Sequence, residues 1–232
     1  MAARIFTGLL LLLVAAPLTR SADIEGAVII RHKLTKRKVT ASVSSYQRGM
    51  AVEPGAPDVT DPLAFERAHV AIYLEGQAVG KPTTATIEQN HRQFLPDMLV
   101  ISAGSTVSFP NLDPIFHNVF SLSQPKTFDL GNYPKDQTRK VTFPKPGIVF
   151  VNCRQHPNMT ATIVITPNQW NTTADADGRF TLTNVRAGSY QIVAWHKAAG
   201  FFRQTIEVDE NHGTSVRFVI PIDENGMAIS QR

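Results

Sequence analysis

One short stretch decides how the rest of the sequence is interpreted: residues 148–160 read Ile-Val-Phe-Val-Asn-Cys-Arg-Gln-His-Pro-Asn-Met-Thr. The stretch begins as an apolar β-strand and continues into a segment that carries Cys153, His156 and Met159 at intervals of three residues. Given one cysteine, composition alone would place a histidine and a methionine at these two offsets about one time in a thousand or less. The spacing therefore predicts a loop with three metal-binding side chains.

A fourth candidate ligand lies on an earlier strand. Residues 109–121 read Phe-Pro-Asn-Leu-Asp-Pro-Ile-Phe-His-Asn-Val-Phe-Ser, which places His117 at the start of an apolar segment. Three ligands on one short loop fix each other's positions, and a ligand from a second strand connects that loop to the rest of the domain. We therefore predict that His117 joins the three loop ligands at one metal site.

The types of donor atom indicate the metal. A thiolate and two imidazoles form a soft trigonal set that suits copper in both oxidation states, and a distant thioether completes it weakly and tunes the reduction potential. Zinc is the alternative, because cysteine and histidine also bind zinc, but a thioether is a poor zinc ligand. The donor set therefore predicts one mononuclear copper ion. Four apolar neighbours are expected to keep water from it: Phe116, Phe120, Phe150 and Val151.

Each candidate ligand also has an ordinary interpretation. Cys153 is the only cysteine of the chain, and a single cysteine is more often a small buried side chain. Met159 fits a hydrophobic core and His156 fits a turn, so only the four residues together favour a metal site. The remaining histidines lack metal-ligand spacing and are interpreted as structural: His32, His69, His91, His196 and His212.

Residues 1–22 have the pattern of a cleaved secretory signal. Arg4 precedes an apolar run at residues 9–16, and small residues follow up to Ser21-Ala22. A membrane anchor is the weaker interpretation, because the run is too short to cross a bilayer comfortably. We predict an exported protein, periplasmic or extracellular, with no stable membrane insertion after cleavage. A lone thiol in such a compartment is expected to be occupied, and a metal ion is the obvious occupant.

The charge balance argues against nucleic acid as a partner. Removal of the signal takes away Arg4 and Arg20, which lowers the formal net charge from +4 (23 minus 19) to +2 (21 minus 19). A dedicated nucleic-acid-binding protein would show a concentrated basic face. The basic residues 31–38 are interpreted as a solvated hairpin or protected edge strand, with a docking patch for an acidic partner as the alternative. No pattern in the sequence predicts the oligomeric state.

The chain after the signal consists of short apolar segments separated by Gly, Pro, Asn and Asp. No window keeps a helical period, apart from a turn at Pro62–Arg67, so we predict an all-β protein. The predicted strands are Ile24–Arg31, Lys38–Val43, His69–Glu75, Met98–Ser102, Thr106–Phe109, Lys140–Phe143, Ile148–Asn152, Thr162–Ile165, Arg179–Thr183, Tyr190–Trp195, Thr205–Val208 and Ser215–Ile220.

Turn-rich segments divide the exported chain into three parts, residues 23–82, 83–166 and 167–232. The middle part contains all four candidate ligands. The first part supplies about three strands and the last about four, and three strands alone bury too little apolar surface to be stable. We predict that the two outer parts join into one seven-stranded sandwich of immunoglobulin-like size around an inserted metal domain. Two successive domains are the alternative.

The two outer parts resemble the carboxypeptidase regulatory-like, or transthyretin-like, domain. The resemblance rests on residues 173–180, which read Thr-Ala-Asp-Ala-Asp-Gly-Arg-Phe, on residues 187–190 and on the earlier apolar segment 68–74. The Asp-Gly and Ala-Gly pairs fit tight turns between strands. The resemblance implies an immunoglobulin- or transthyretin-like β-sandwich.

The middle part, about residues 84–166, resembles the cupredoxins of the plastocyanin, pseudoazurin and amicyanin group. The resemblance rests on the Cys-x-x-His-x-x-Met loop, with Pro157 after the histidine, and on the approach at residues 104–111, which read Gly-Ser-Thr-Val-Ser-Phe-Pro-Asn. It implies a Greek-key β-barrel with one blue copper ion that passes single electrons to an unidentified redox partner protein. The whole chain also resembles exported plastocyanin-like proteins that are sometimes labelled methylamine-utilisation proteins.

The cupredoxin resemblance assigns roles to individual residues. It implies that His117 is the buried ligand and that the ring edge of His156 reaches the surface. It also implies that Asn118 ties the two ligand strands together, with its backbone placing a hydrogen bond near the Cys153 sulfur.

Three classes of function follow from the sequence. The four ligands favour an electron carrier. A copper enzyme such as a multicopper oxidase or nitrite reductase would need further histidine clusters, and the sequence has no His-x-His pair, so no enzyme is predicted. The third class is a copper storage, delivery or structural protein in which the sandwich binds a partner.

Overall fold

β-Strands dominate the structure. A computed structural model describes residues 21–35, 61–76, 80–209 and 212–220. Within these ranges the chain forms seventeen strands and one short helix, so the predicted all-β fold class is confirmed. The elements in chain order are β1 (Ser21–Ile29), α1 (Ala64–Ala68), β2 (Val70–Glu75), β3 (Thr84–Thr86), β4 (Glu88–Asn90), β5 (Gln93–Leu95), β6 (Met98–Ser102), β7 (Thr106–Pro110), β8 (His117–Ser121), β9 (Phe128–Tyr133), β10 (Thr138–Thr142), β11 (Gly147–Asn152), β12 (Thr160–Thr166), β13 (Asn171–Thr173), β14 (Arg179–Arg186), β15 (Gly188–His196), β16 (Gly200–Val208) and β17 (Thr214–Val219).

Strands from both ends of the described chain share two sheets. One sheet has the order β14-β1-β17 and the other the order β13-β2-β15-β16. Ile24 and Val28 of β1 are buried in one cluster with Ile72 and Leu74 of β2 and Ile192 of β15. The even spacing within each strand is the period of a strand that buries one face. The two sheets therefore pack face to face as a sandwich.

Strands β3 to β12 form a second set of sheets. A five-stranded sheet has the order β6-β12-β11-β8-β9, a three-stranded sheet has the order β10-β7-β3, and β4 and β5 form a hairpin. Phe109 of β7 and Val119 and Val149 of the five-stranded sheet lie in one buried cluster. The same cluster contains Cys153 and Met159. Two of the four candidate metal ligands therefore belong to this core.

A third buried cluster joins the two sets of sheets. Ala71 and Tyr73 on one face of β2 pack with Val164 of β12 and Trp195 of β15. The opposite face of β2 belongs to the sandwich core. Because β2 is buried on both faces, residues 70–74 form the continuous apolar run typical of such strands.

The predicted strands differ from the observed ones mainly at their ends. Met98–Ser102 is predicted to the residue, whereas the strand predicted at Thr205–Val208 begins at Gly200. The turn predicted at Pro62–Arg67 is the helix α1. β3, β4, β5, β9 and β13 have no predicted counterpart. Four of them have three residues, too few to show a period, and β9 contains the adjacent pair Gly131-Asn132, which is typical of turns.

Several predictions lie outside the described residues. These are the first twenty residues of the signal and the strand Lys38–Val43. Ser21 and Ala22, at the predicted cleavage site, pair with Arg186 and Val185 of β14. The boundaries at residues 82 and 166, and export itself, stay predictions. In the part of the chain that the structure describes, no helix has the length and apolar character needed to cross a membrane.

Candidate metal centre

The loop between β11 and β12 carries three of the four predicted ligands. The two strands pair as far as Asn152 and Thr160, which holds both ends of the loop. Within it, the Cys153 N–H donates to Met159 O at 3.2 Å and the Met159 N–H donates to His156 O at 2.8 Å. These two hydrogen bonds fix the backbone that presents the ligands.

His117 reaches the same place from the neighbouring strand β8. In the sheet, β8 lies beside β11, with Phe120 opposite Asn152, and beside β9, with Tyr133 opposite His117. The His117 imidazole is completely buried. Its position is therefore set by strands on both sides.

Three atoms that could bind a metal ion, one each from His117, Cys153 and His156, lie close together. Cys153 Sγ lies 3.9 Å from His117 Nδ1 and 3.6 Å from His156 Nδ1, and all three atoms lie within 4.8 Å of one another. The two imidazole rings meet edge to face with their centroids 4.9 Å apart. Among the described residues, no other group of three His, Cys, Asp or Glu side chains comes together in this way.

These separations fit a single bound metal ion. Bonds of about 2.0–2.1 Å to nitrogen and about 2.3 Å to sulfur, at angles between tetrahedral and trigonal, separate the two donors by about 3.5–3.8 Å. The observed Sγ–Nδ1 distances of 3.6 and 3.9 Å lie close to this range. The thiolate and imidazole donors suit copper, and zinc stays the alternative.

Met159 ends the same loop and is only 1% exposed. Its side chain belongs to the buried cluster that contains Cys153. A buried thioether on the ligand loop fits a weak fourth ligand. That role stays a prediction.

The two imidazoles differ in exposure, as the resemblance implied. His117 is completely buried and His156 is half-buried. Burial lowers the pKa of His156, and the nearby charges of His117 and Arg92 lower it further, against the opposing effect of Asp113. A lower pKa keeps His156 neutral near pH 7, which is the form that binds a metal ion.

The expected apolar shield around the site is incomplete. Val151 is buried, but Phe116 and Phe150 are 58% and 41% exposed, so the expectation that these two keep water from the metal is wrong. Phe150 alternates with the inward-facing Val149 and Val151 along β11 and therefore points outward. Phe116 lies just before β8, outside the sheet.

The second nitrogen of His117 contacts a carboxylate. His117 Nε2 lies 2.7 Å from Asp113 Oδ2, and both side chains are nearly or completely buried. A carboxylate acceptor there places the proton on Nε2 and leaves Nδ1 free to bind a metal ion. The sequence alone predicts no role for Asp113. The available signal was the Asp-x-x-x-His spacing that precedes β8.

Asn118 connects the ligand strands only indirectly. Its Nδ2 donates to Asp129 Oδ1 of β9 at 2.7 Å, and Arg154, the residue after Cys153, donates to Asp129 Oδ2 at 2.8 Å. Hydrogen bonds from Arg154, from the Gly131 N–H and from Asn118 lower the pKa of Asp129 to about 2. The implied hydrogen bond near the Cys153 sulfur stays a prediction.

A comparison with protein-family models matches residues 158–216, about a quarter of the chain, to polysaccharide lyase family 4, domain II. The matched segment begins within the ligand loop and runs into β17. A comparison with curated protein sequences finds no match. The resemblance of the sandwich to the carboxypeptidase regulatory-like domain stays a prediction.

Part of the chain is similar to solved structures of cupredoxins. The Cu-containing nitrite reductase NirK from Thermus scotoductus SA-01 is 26% identical with a TM-score of 0.34, over 39% of this chain and 25% of that chain. This chain thus spans about a quarter of that protein's length. A purple cupredoxin from Nitrosopumilus maritimus is 21% identical with a TM-score of 0.32, over 35% and 99% of the two chains. Amicyanin from Paracoccus versutus is 22% identical with a TM-score of 0.34, over 40% and 96%.

Proposed function

We propose that this chain is an exported blue-copper protein that transfers single electrons through one copper ion. His117, Cys153 and His156 hold the ion, and Met159 is a weak fourth ligand. The observation that carries the proposal is the convergence of Cys153 Sγ with two imidazole Nδ1 atoms at 3.6 and 3.9 Å. Copper in such a donor set takes up and releases one electron.

The chain's own residues limit the movement of the ligands. Cys153 and Met159 are joined by a backbone hydrogen bond across the loop, and the β11–β12 ladder closes immediately beyond it. His117 is held by the sheet and by its contact with Asp113. Ligands that are already in place need little rearrangement when the charge at the site changes, which favours fast electron transfer.

The half-buried ligand marks the end of the molecule at which a partner would dock. His156 is half-buried between exposed residues of the loop, and Phe116, the neighbour of His117, is 58% exposed. An exposed aromatic side chain beside a polar ligand fits the small interfaces of transient redox complexes. The proposed partner is a redox protein, and no enzymatic activity and no nucleic-acid binding are proposed.

Repeated redox cycling tests electron transfer against copper storage or delivery. The protein without its signal is loaded with one equivalent of Cu(II), reduced with ascorbate beside a Cu(I) chelator, and reoxidised. We expect the visible absorption to disappear and return in each cycle while the copper stays bound. Transfer of the copper to the chelator on reduction would contradict the electron carrier and support storage or delivery.

Two histidine variants provide the matched comparison for this experiment. His156→Ala removes a proposed ligand and is expected to lose copper within the first cycles. His212→Ala removes a histidine whose side chain is 83% exposed and lies outside the site, and it is expected to cycle as the wild type does.

A further inference from the structure

We propose that Asp113 is a positioning residue that links the tip of the β4–β5 hairpin to the His117 imidazole and fixes the tautomer in which Nδ1 faces the metal. The inference rests on the proposed copper site and names the residue that prepares its buried ligand. Three contacts of the Asp113 carboxylate carry it.

The carboxylate accepts hydrogen bonds from two separate parts of the chain. Asp113 Oδ1 accepts from the His91 N–H at 2.7 Å, and Oδ2 accepts from the Arg92 N–H at 2.8 Å. Oδ2 also lies 2.7 Å from His117 Nε2. Asp113 is only 6% exposed, so all three contacts are largely shielded from water.

The hairpin tip needs this support. Asn90 pairs with Gln93, which leaves His91 and Arg92 as a two-residue turn with φ values of 53° and 57°. Turns of this kind require positive φ at both central residues and usually contain glycine or asparagine. Neither residue here is of that type, and the two N–H groups that the turn exposes are the two that Asp113 binds.

The loop that carries Asp113 is itself fixed. The Asp113 N–H donates to Asn111 Oδ1 at 3.0 Å, and Asn111 Nδ2 donates to Ile115 O at 2.8 Å and to Tyr133 O at 3.0 Å. Asn111 is completely buried. The carboxylate is therefore held in place from its own side as well as from the hairpin.

The carboxylate also acts on the proposed copper site through its contact with the imidazole. Asp113 Oδ2 lies 2.7 Å from His117 Nε2, at hydrogen-bond distance. A carboxylate that accepts the Nε2–H makes the imidazole a stronger donor at Nδ1, which favours Cu(II) more than Cu(I). Removal of this carboxylate is expected to raise the reduction potential.

Asp113→Asn and Asp129→Asn form the test pair. Each removes one carboxylate close to the site, but Asp129 contacts Asn118 and Arg154 and no imidazole. For Asp113→Asn we expect Cu(II) affinity to fall about 10- to 100-fold. If Cu(I) affinity falls tenfold less, the potential rises by 59 mV, the value of a tenfold change for a one-electron couple. Equal shifts in the two variants would overturn the positioning role.

A metal-free measurement separates this inference from the proposed function. Nitrogen NMR of the copper-free protein is expected to show the proton of the neutral His117 imidazole on Nε2 in the wild type. In Asp113→Asn it is expected to show a mixture of the two tautomers. In Asp113→Ala, amide exchange at His91 and Arg92 is expected to accelerate. An unchanged tautomer would overturn the inference even if copper binds, whereas failure to bind copper with the Nε2–H tautomer present would contradict only the proposed function.

Discussion

Two buried histidine–carboxylate pairs in the described part of the chain have different surroundings. His117 Nε2 lies 2.7 Å from Asp113 Oδ2, and His196 Nε2 lies 3.2 Å from Glu66 Oε2. The two pairs differ in what surrounds Nδ1, the other ring nitrogen of each histidine. His117 Nδ1 faces Cys153 Sγ, whereas His196 Nδ1 accepts the Ala198 N–H at 3.2 Å. Burial beside a carboxylate therefore does not make a metal ligand unless the second nitrogen is free and faces other donors.

The two carboxylates also differ in the groups that they bind. Glu66 Oε1 accepts hydrogen bonds from the Leu34 N–H and from the N–H and Oγ1 of Thr35, at 3.2, 2.9 and 2.6 Å. Its Oε2 is near His196 but is not aligned for a hydrogen bond. Burial lowers the pKa of His196, against the charge of Glu66. Glu66 thus joins α1 to residues 34–35 and has a structural role.

The largest effect is expected when the structural pair is broken. Glu66→Ala leaves partly buried donors at residues 34 and 35 without an acceptor and removes the partner of the buried His196, and should lower the free energy of unfolding by about 3–5 kcal/mol. Urea denaturation measures the loss. The copper spectrum of the folded fraction should not change, because Glu66 does not contact the ligands. A loss below about 1 kcal/mol would contradict the structural role.

Substitution of Met159 tests the proposed fourth ligand. Met159→Leu keeps the side-chain volume, so the free energy of unfolding should change by less than about 1.5 kcal/mol. Copper should still bind to the three remaining ligands, and the reduction potential should rise because a donor to Cu(II) is lost. Met98→Leu, in the cluster between the two sets of sheets, is the matched control. An unchanged potential in Met159→Leu would show that Met159 is not a ligand.

A third histidine–carboxylate pair, His69 and Asp97, lies nearer the surface, and its removal is expected to change the free energy of unfolding least. His69 Nδ1 lies 2.7 Å from Phe65 O and Nε2 lies 2.8 Å from Asp97 Oδ1. Both partners accept, so both ring nitrogens carry protons. Burial alone would lower the pKa of His69, but the bonds to Asp97 and Phe65 and the charge of Glu66 raise it. The bond to His69 and the charge of Lys197 lower the pKa of Asp97, against burial.

The sign of the pH dependence follows from these shifts. The raised pKa of His69 stabilises the fold fully below its ordinary value of 6.5, and this contribution is lost as the pH rises through the folded pKa. The lowered pKa of Asp97 stabilises the fold above its ordinary value of 3.8, and this contribution is lost as the pH falls through the folded pKa. His69→Gln should therefore cost less than about 1 kcal/mol near pH 5–6 and still less at pH 9. Urea denaturation at these pH values measures it, and a pH-independent difference would contradict the ion pair.

Local spacing accounts for what the sequence could predict. Cys153, His156 and Met159 are recognisable because one short loop carries them, and the apolar runs between glycines and prolines are enough to predict an all-β fold. Asp113 binds the backbone of a hairpin 21 and 22 residues earlier in the chain, and Glu66 and His196 meet only after α1 and β15 have packed. Contacts of this kind leave no periodic signal in a single sequence.

The absorption spectrum of the Cu(II)-loaded protein tests the copper site most directly. One copper per chain should give an intense visible band from charge transfer between the Cys153 sulfur and the metal. The band should be absent in Cys153→Ser and unchanged in His212→Ala. A colourless wild-type protein after loading, or a band that survives Cys153→Ser, would contradict the proposed site.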